Sequence, residues 1–440
     1  MSGGALALAV IGAMLALMAL RAPIWVSMFV PGFVGYWMAA SDTALLAFLK
    51  GMVFARFSVY DLSVIPLFLL MGQFATQGGL SQALFRCAAA FVGHLRGGLA
   101  MASVLACAAF GAVCGSSVAT AATVAQVAMP EMRRFGYDGG LATATLATGG
   151  TLGILIPPSV VLIIYAIITE QNIAKLFAAA FVPGILAATG YIVAVAVTMR
   201  FKPEWGPAQP RVPWGERLRT VVGVWPVVAI FVAVFGGIYG GVFTPTEGAA
   251  VGTLCTFAAG VFNGELRWPQ MRRSILATAE TTAMIFMIFV GADMLNATLA
   301  LTQMPAHFAE IVATLQVPPL VVVAGVVLMY IVLGAVMDEL SMILLTLPVL
   351  FPAMMQLDLH GLDATGKAIW FGIVVLSVVE IGLIAPPVGL NVYVVSSLAR
   401  EVPMGDTYRR VFIFLASDAV RITLLFFFPI ISLWLVGWVT

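Results

Sequence analysis

Apolar runs of about twenty residues recur along the whole chain, the length a helix needs to cross a hydrocarbon core. They predict spans at about 5–20, 24–40, 62–78, 140–168, 174–199, 221–241, 248–263, 274–298, 367–398 and 411–438. Residues 44–56 are moderately amphipathic and carry Lys50 and Arg56, which predicts a helix lying in the interface, with a short extra span as the alternative. Two further apolar stretches, 99–131 and 319–355, have small-residue or polar midpoints and predict helical hairpins that enter the membrane and return on the same side.

Two of the spans are badly built as plain helices. The first is broken by Gly149-Gly150-Thr151-Leu152-Gly153 and Pro157-Pro158, the second at Glu380 to Asn391, EIGLIAPPVGLN. Backbone freed at membrane depth is tolerated only where protein buries it or a wet cavity lines it, and paired interrupted segments point to a transport site. The two copies correspond: Gly334-Ala335-Val336 echoes Gly111-Ala112-Val113, Pro352 echoes Pro130, and Pro386 echoes Pro157, at offsets of 223, 222 and 229 positions. The organisation expected is therefore an all-α polytopic membrane protein with an inverted repeat, two re-entrant hairpins and two broken helices. Residues 1–60 would hold N-terminal scaffold helices and the interfacial helix. The first repeat would cover 61–200, a basic linker with scaffold helices 201–273, and the second repeat 274–440.

Composition narrows the class. The 440 residues are 62% hydrophobic and only 9% charged, against roughly 25% charged in soluble domains, and mean hydropathy is +1.08. A formal net charge of +1 with no basic stripe argues against nucleic acid as a partner and for the lipid bilayer. Cys87, Cys107, Cys114 and Cys255 form no CxxC pair, and His94, His307 and His360 are scattered, so neither a metal cluster nor a disulfide framework is expected. No Walker A loop, HExxH or GxSxG occurs, which argues against an enzyme. Basic residues at Arg86 and Arg96, at Arg133 and Arg134, at 200–219, at 267–273 and at 400–410 fall on one side of this topology, the cytoplasmic one. Lys50 and Arg56 fall on the other.

The chemistry sits at the hairpin tips and breaks. Carbonyls freed near Gly149 and Thr151, with the hydroxyls of Ser116 and Ser117, are hard oxygen ligands suited to a cation such as Na⁺. The second copy supplies Gly334, Asp338, Gly382 and Asn391 in the corresponding places. A carboxylate at membrane depth costs about 2.5–3.5 kcal/mol on insertion scales, so Asp338 at a tip points to a cation ligand or an anchor. Pro157 and Pro158 suit the first positions of a new helix, whose positive end favours an anion. Thr120, Pro157, Ser159, Ser341 and Pro387 are the expected substrate-side groups. Glu280, Asp293 and Asp418 lie within apolar runs and are expected to pair with arginine or reach the interface.

Gly115-Ser116-Ser117-Val118-Ala119-Thr120-Ala121, Pro130-Glu131-Met132, GGTLGILIPPS to Ser159, TEQNIAKLF to Phe177, TPTEGAAVG to Gly252, Met337-Asp338 and EIGLIAPPVGLN to Asn391 together carry a resemblance. The sequence resembles, over essentially its whole length, the large membrane subunit of tripartite ATP-independent periplasmic (TRAP) transporters. It has Thr120 where many members carry Asp. The resemblance implies an elevator-type secondary transporter in a bacterial inner membrane, driven by Na⁺ as coupling ion with no further cofactor. It implies a small organic acid as substrate, delivered by a periplasmic substrate-binding protein, and a small four-span membrane subunit as partner. The alternative is a stand-alone ion-coupled carboxylate carrier.

Overall fold

A computed structural model describes residues 3–304, 306–307, 310 and 317–439, and every regular element among them is helical. Among the described residues, five helices have the length and hydropathy of a membrane span, eight if three bent pairs each count as one. The chain folds as two compact units, one made of Met1–Ser63, Ala279–Val326 and Leu340–Ala368, the other of Val64–Thr278, Val327–Glu339 and Ile369–Thr440.

In the first unit, α1 (Gly3–Ala19), α2 (Ile24–Ala39) and α3 (Asp42–Phe57) pack with the later part of α14 (Trp268–Leu301). Helices in a membrane approach most closely over small residues. A side chain on Gly32 would place its Cβ 2.9 Å from Leu295 Cα, and Thr298 Oγ1 donates to Gly32 O at 2.6 Å. Leu45, Met52, Val290 and Met294 form the core here. The expected helix over 44–56 is α3, started by Ser41, whose hydroxyl accepts from Ala44 N. Both guanidinium arms of Arg56 bind the Asp293 carboxylate, and the group stands over the Phe289 ring. That pairing accounts for two charges within apolar runs at once, as expected for Asp293, whereas Glu280 is exposed.

The second unit contains α4 (Val64–Gln77), α5 (Leu80–Val92), the first hairpin α6 (Gly98–Cys114) and α7 (Ser117–Arg134), and the broken helix α8 (Gly139–Leu155) with α9 (Val160–Thr169). It continues through α10 (Ile173–Phe201), α11 (Trp214–Gly223), α12 (Trp225–Tyr239) and α13 (Pro245–Phe262). The second hairpin is α15 (Pro319–Gly334) and α16 (Glu339–Gln356), of which only Val327–Glu339 belongs to this unit. The second broken helix is α17 (Ala364–Gly382) with α18 (Leu390–Leu398), followed by α19 (Met404–Phe427). Both proline pairs, Pro157-Pro158 and Pro386-Pro387, fall in the breaks.

Two helices lie where no element was expected. α5 buries Leu80, Leu84 and Phe85 and exposes Gln82 and Arg86, so its apolar stripe is too narrow for a span-length pattern. α11 forms inside the basic linker and bends 46° into α12. The last expected span, 411–438, starts earlier, at Met404, and bends 83° after Phe427 before Ile430.

One end of this unit gathers polar groups from several of the basic loops. Asp138 Oδ1 caps α8 by accepting from Leu141 N at 2.8 Å and accepts from Arg410 Nε at 3.2 Å. Arg410 stacks on the Trp205 ring at 3.5 Å, and Arg133 pairs with Glu401. Gly97 N donates to Gly206 O and Gln209 N to Gly93 O, so the linker is laid along the base of the first hairpin.

Candidate functional site

The hairpins meet the broken helices through glycine. A Cβ on Gly111 would lie 2.7 Å from Gly153 Cα, and a Cβ on Gly382 would lie 2.5 Å from Gly334 Cα. The glycines of the first contact correspond to those of the second at the offsets, 223 and 229, that relate the two halves. Glycine within the GGTLG run therefore serves close approach rather than helix breakage. Gly150 lies against Ala121, and Gly153 against Ser116 O and Thr120 Oγ1.

This corrects the expected position of the first break. Gly149 and Thr151 lie inside α8, which continues to Leu155; the freed carbonyls are those of Gly153, Ile154 and Leu155. Thr151 Oγ1 donates to Thr148 O at 2.8 Å in its own helix and lies 3.5 Å from the Tyr191 hydroxyl. Pro157 and Pro158 do not open α9 either. Ser159 takes the N-cap position, its hydroxyl accepting from Leu162 N at 3.3 Å, and the prolines precede it. A side-chain acceptor satisfies a helix start better than a missing donor does, so the serine prevails locally.

At the first hairpin tip, Gly115 adopts a left-handed conformation with φ 67° and Ser116 caps α7 by accepting from Ala119 N at 3.4 Å. Ser117 Oγ donates to Glu339 Oε1 at 3.3 Å, joining the tips of the two hairpins in a buried contact. Glu339 Oε2 is buried with no hydrogen bond among the described residues. Thr120 Oγ1 is buried beside the Cys114 thiol and makes no well-formed hydrogen bond there. Asp338 occupies the turn just before α16, half-buried, with buried Gly334 at the end of α15. Ser341 is buried two residues beyond Glu339, in the stretch of α16 that belongs to the first unit.

Asn391 links the broken helices. Its backbone N–H donates to Leu383 O at 3.0 Å across the second break, and its Nδ2 donates to Ala147 O at 3.1 Å on α8. Its Oδ1 is buried with no hydrogen bond among the described residues. The breaks differ in exposure: residues 156–159 are buried, whereas Pro386, Pro387 and Val388 are exposed. The Tyr408 hydroxyl is 2.6 Å from Val388 O and 3.3 Å from Pro387 O, donating at the second break.

Behind the breaks lies a buried charge cluster. Arg421 Nη1 is 2.7 Å from Glu380 Oε2 and Nη2 is 2.8 Å from Asp418 Oδ1. The guanidinium meets them as ion pairs rather than aligned hydrogen bonds. The Tyr191 hydroxyl donates to Asp418 Oδ1 at 2.8 Å. Asp418 pairs with arginine as expected, but in the interior of the unit rather than at an interface. Sequence reasoning missed Glu339, Arg421, Tyr191 and Tyr408. The signals available were the second carboxylate beside Asp338 and an acid–base pair three residues apart inside an apolar run.

The arrangement is rich in buried oxygens, and among the described residues no side-chain cation is paired with them at the tips. Thr120 Oγ1, Glu339 Oε2 and Asn391 Oδ1 are unspent acceptors, each within elements that touch α7 or α8. Oxygens of these kinds are the ligand type that suits a hard cation.

Comparison with known proteins agrees with this architecture. Residues 11–431 match the family model described as "Tripartite ATP-independent periplasmic transporter, DctM component". The C4-dicarboxylate TRAP transporter large permease protein DctM of Pseudomonas aeruginosa is 36% identical over 86% of this chain and 87% of that protein. The ectoine TRAP transporter large permease protein TeaC of Halomonas elongata is 28% identical over 97% of both chains. The isethionate TRAP transporter permease protein DctMQ of Oleidesulfovibrio alaskensis is 29% identical over 84% of this chain and 58% of that protein. Among solved structures, the YdaH transporter of Alcanivorax borkumensis shares the fold with a TM-score of 0.57 at 14% identity, over 88% of this chain and 90% of that one. With the family model matched over residues 11–431 and a relative 36% identical over most of both chains, this chain belongs to the DctM family of large permease subunits of tripartite periplasmic transporters, multi-pass proteins of the inner membrane.

Proposed function

We propose that this permease imports a small carboxylate by Na⁺ symport, with the hairpins and broken helices of an inverted repeat moving as an elevator against the remaining helices. The observation that carries the ion reading is the set of buried, unspent oxygens, Thr120 Oγ1 and Glu339 Oε2 at the tips and Asn391 Oδ1 after the second break. Ser116, Ser117 and Asp338 stand at the same tips, with Gly334 and Gly382 at the close contact behind the second. Gly149 and Thr151 supply the packed helix that presents the carbonyls of the first break. The substrate side comprises Thr120, Ser159 and the ends of the breaks at Pro157 and Pro387, with Ser341 further along α16. The partners are a periplasmic binding protein and a small four-span membrane subunit. The 58% share of DctMQ that this chain spans supports the second of these. The substrate class follows the relative of highest identity reported above, which handles C4-dicarboxylates, although others are named for ectoine and isethionate.

Uptake of labelled carboxylates into proteoliposomes tests this directly, with inward Na⁺ or choline and with or without the binding protein. Uptake needing both supports the tripartite reading. Uptake with Na⁺ alone identifies a stand-alone carrier, and equal uptake in choline removes Na⁺ coupling. In the same assay, Asp338→Ala is expected to raise the Na⁺ concentration for half-maximal uptake about tenfold, the loss of roughly 1.4 kcal/mol of ion binding. An unshifted Na⁺ titration removes Asp338 from the ion site.

A further inference from the structure

The Glu380–Arg421–Asp418–Tyr191 cluster has no part in the chemistry above, yet burying it is costly. Glu380 and Asp418 are fully buried and Arg421 is 3% exposed. Taking such groups out of water costs several kcal/mol each, only partly recovered by their attraction. A buried ion pair is therefore weak as a stabilising device and is better understood by what it holds in place.

Its placement is informative. Glu380 lies two residues before the end of α17 at Gly382, so it is the last charged group before the second break. Arg421 and Asp418 lie three residues apart on α19, and Tyr191 on α10 holds Asp418 from the other side. Thr151 on α8 lies 3.5 Å from the Tyr191 hydroxyl, so the cluster reaches the first broken helix as well. Other ties reach the second break as well: Gly382 packs on Gly334, Leu383 and Ile384 are fully buried, Tyr408 donates to Val388 O, and the Asn391 backbone N–H donates to Leu383 O. Pro386, Pro387 and Val388 are exposed, and α18, with Gly389 as N-cap, has no side-chain cap.

We infer that Arg421 is a positioning residue for the second break, gripping the end of α17 through Glu380, while Asp418 and Tyr191 hold the guanidinium in place. Arginine suits this task because its rigid planar group fixes the direction of each carboxylate, whereas a lysine ammonium is a point charge on a flexible stem. The inference rests on the reading that this break forms part of the transport site.

The competing explanation is plain charge compensation, and two isosteric variants separate them. E380Q leaves the neutral Arg421–Asp418 pair, and D418N leaves the neutral Arg421–Glu380 pair. Each removes one buried negative charge, but only E380Q cuts the tie to the break. The reporter is Val388→Cys, a position 45% exposed at the break. The background has Cys87, Cys107, Cys114 and Cys255 replaced by alanine, and the full chain is labelled with a maleimide in nanodiscs, in choline and in Na⁺ buffers.

E380Q is expected to change the labelling rate in choline about tenfold, the response of a segment whose local opening has become easier. D418N is expected to change it less than about twofold. Equal changes in both variants, or none in either, overturn the inference. R421K, which keeps the charge and loses the fork, is read in the same assay and is expected to follow E380Q. It decides the matter if E380Q does not fold. The two readings fail separately. If Na⁺ leaves the parent's labelling rate unchanged while E380Q still differs from D418N, Na⁺ coupling at this break fails and the brace stands.

Discussion

Gly382→Val is expected to abolish transport and to destabilise the protein by about 3 kcal/mol or more, the upper range for overpacking. The reason is geometric. A Cβ at this position falls 2.5 Å from both the Cα and the carbonyl carbon of Gly334, and backbone on the far side cannot swing away as a flexible side chain would. Accommodating valine forces the tip of the second hairpin off the end of α17, where the proposed ion ligands lie. Gly111→Val attacks the matching contact, 2.7 Å from Gly153 Cα, and should behave in the same way. Gly325→Ala is the control. It lies on α15 with no atom within 4 Å of its Cβ position. Alanine is the better helix former there by up to about 1 kcal/mol. Thermal unfolding followed by size-exclusion chromatography reads the three variants side by side. An unchanged midpoint for Gly382→Val would show that the tip does not seat on the broken helix.

Arg421→Met should be as damaging for a different reason. It leaves Glu380 and Asp418 buried without their common counter-charge, and breaking a buried pair in this way costs about 3–5 kcal/mol. The triple variant E380Q/D418N/R421M removes all three charges and should recover most of the lost stability, since a neutral, well-filled site often matches or exceeds a buried ion network. It should not recover transport, because the grip on the break is gone as well. Melting temperature and uptake therefore part company in the triple variant. Recovery of both together would assign the cluster to stability alone.

The contrast between the two proline breaks and the glycine runs shows where sequence reasoning holds. A proline pair acts on its own backbone, through a fixed φ and a missing donor, so both breaks contain the expected proline pairs, although the first does not extend back into the glycine run. Glycine permits two opposite things, a freed helix or a close approach, and neighbours in space select between them. At Gly149 to Gly153 the neighbours are Cys107, Ala121 and Thr120, so the helix runs on to Leu155. The hairpin over 99–131 was legible because small residues and a polar turn bound its apolar arms. α5 was not, since thirteen residues with a one-sided apolar stripe resemble a loop when spans are sought.

Site residues divide in the same way. Ser116 and Ser159 were singled out as oxygen donors, and both act in this structure as helix caps, a local role that any serine before a helix start can take. Glu339 escaped notice beside Asp338 because only the approach of Ser117, 222 positions away, marks it as part of the tips. Arg421 stayed hidden because an arginine in an apolar run announces a partner without saying which one.

From sequence alone followed the membrane class, the apolar spans, the two proline breaks and the doubling of the pattern, because hydropathy, proline and small-residue tips act through neighbours in the chain. Tertiary structure alone decided which glycines meet, which carboxylate joins the tips and which charge holds the second break. Those choices depend on contacts between residues more than two hundred positions apart in Ser117–Glu339 and Asn391–Ala147 and on the packing of α10, α17 and α19 around Arg421.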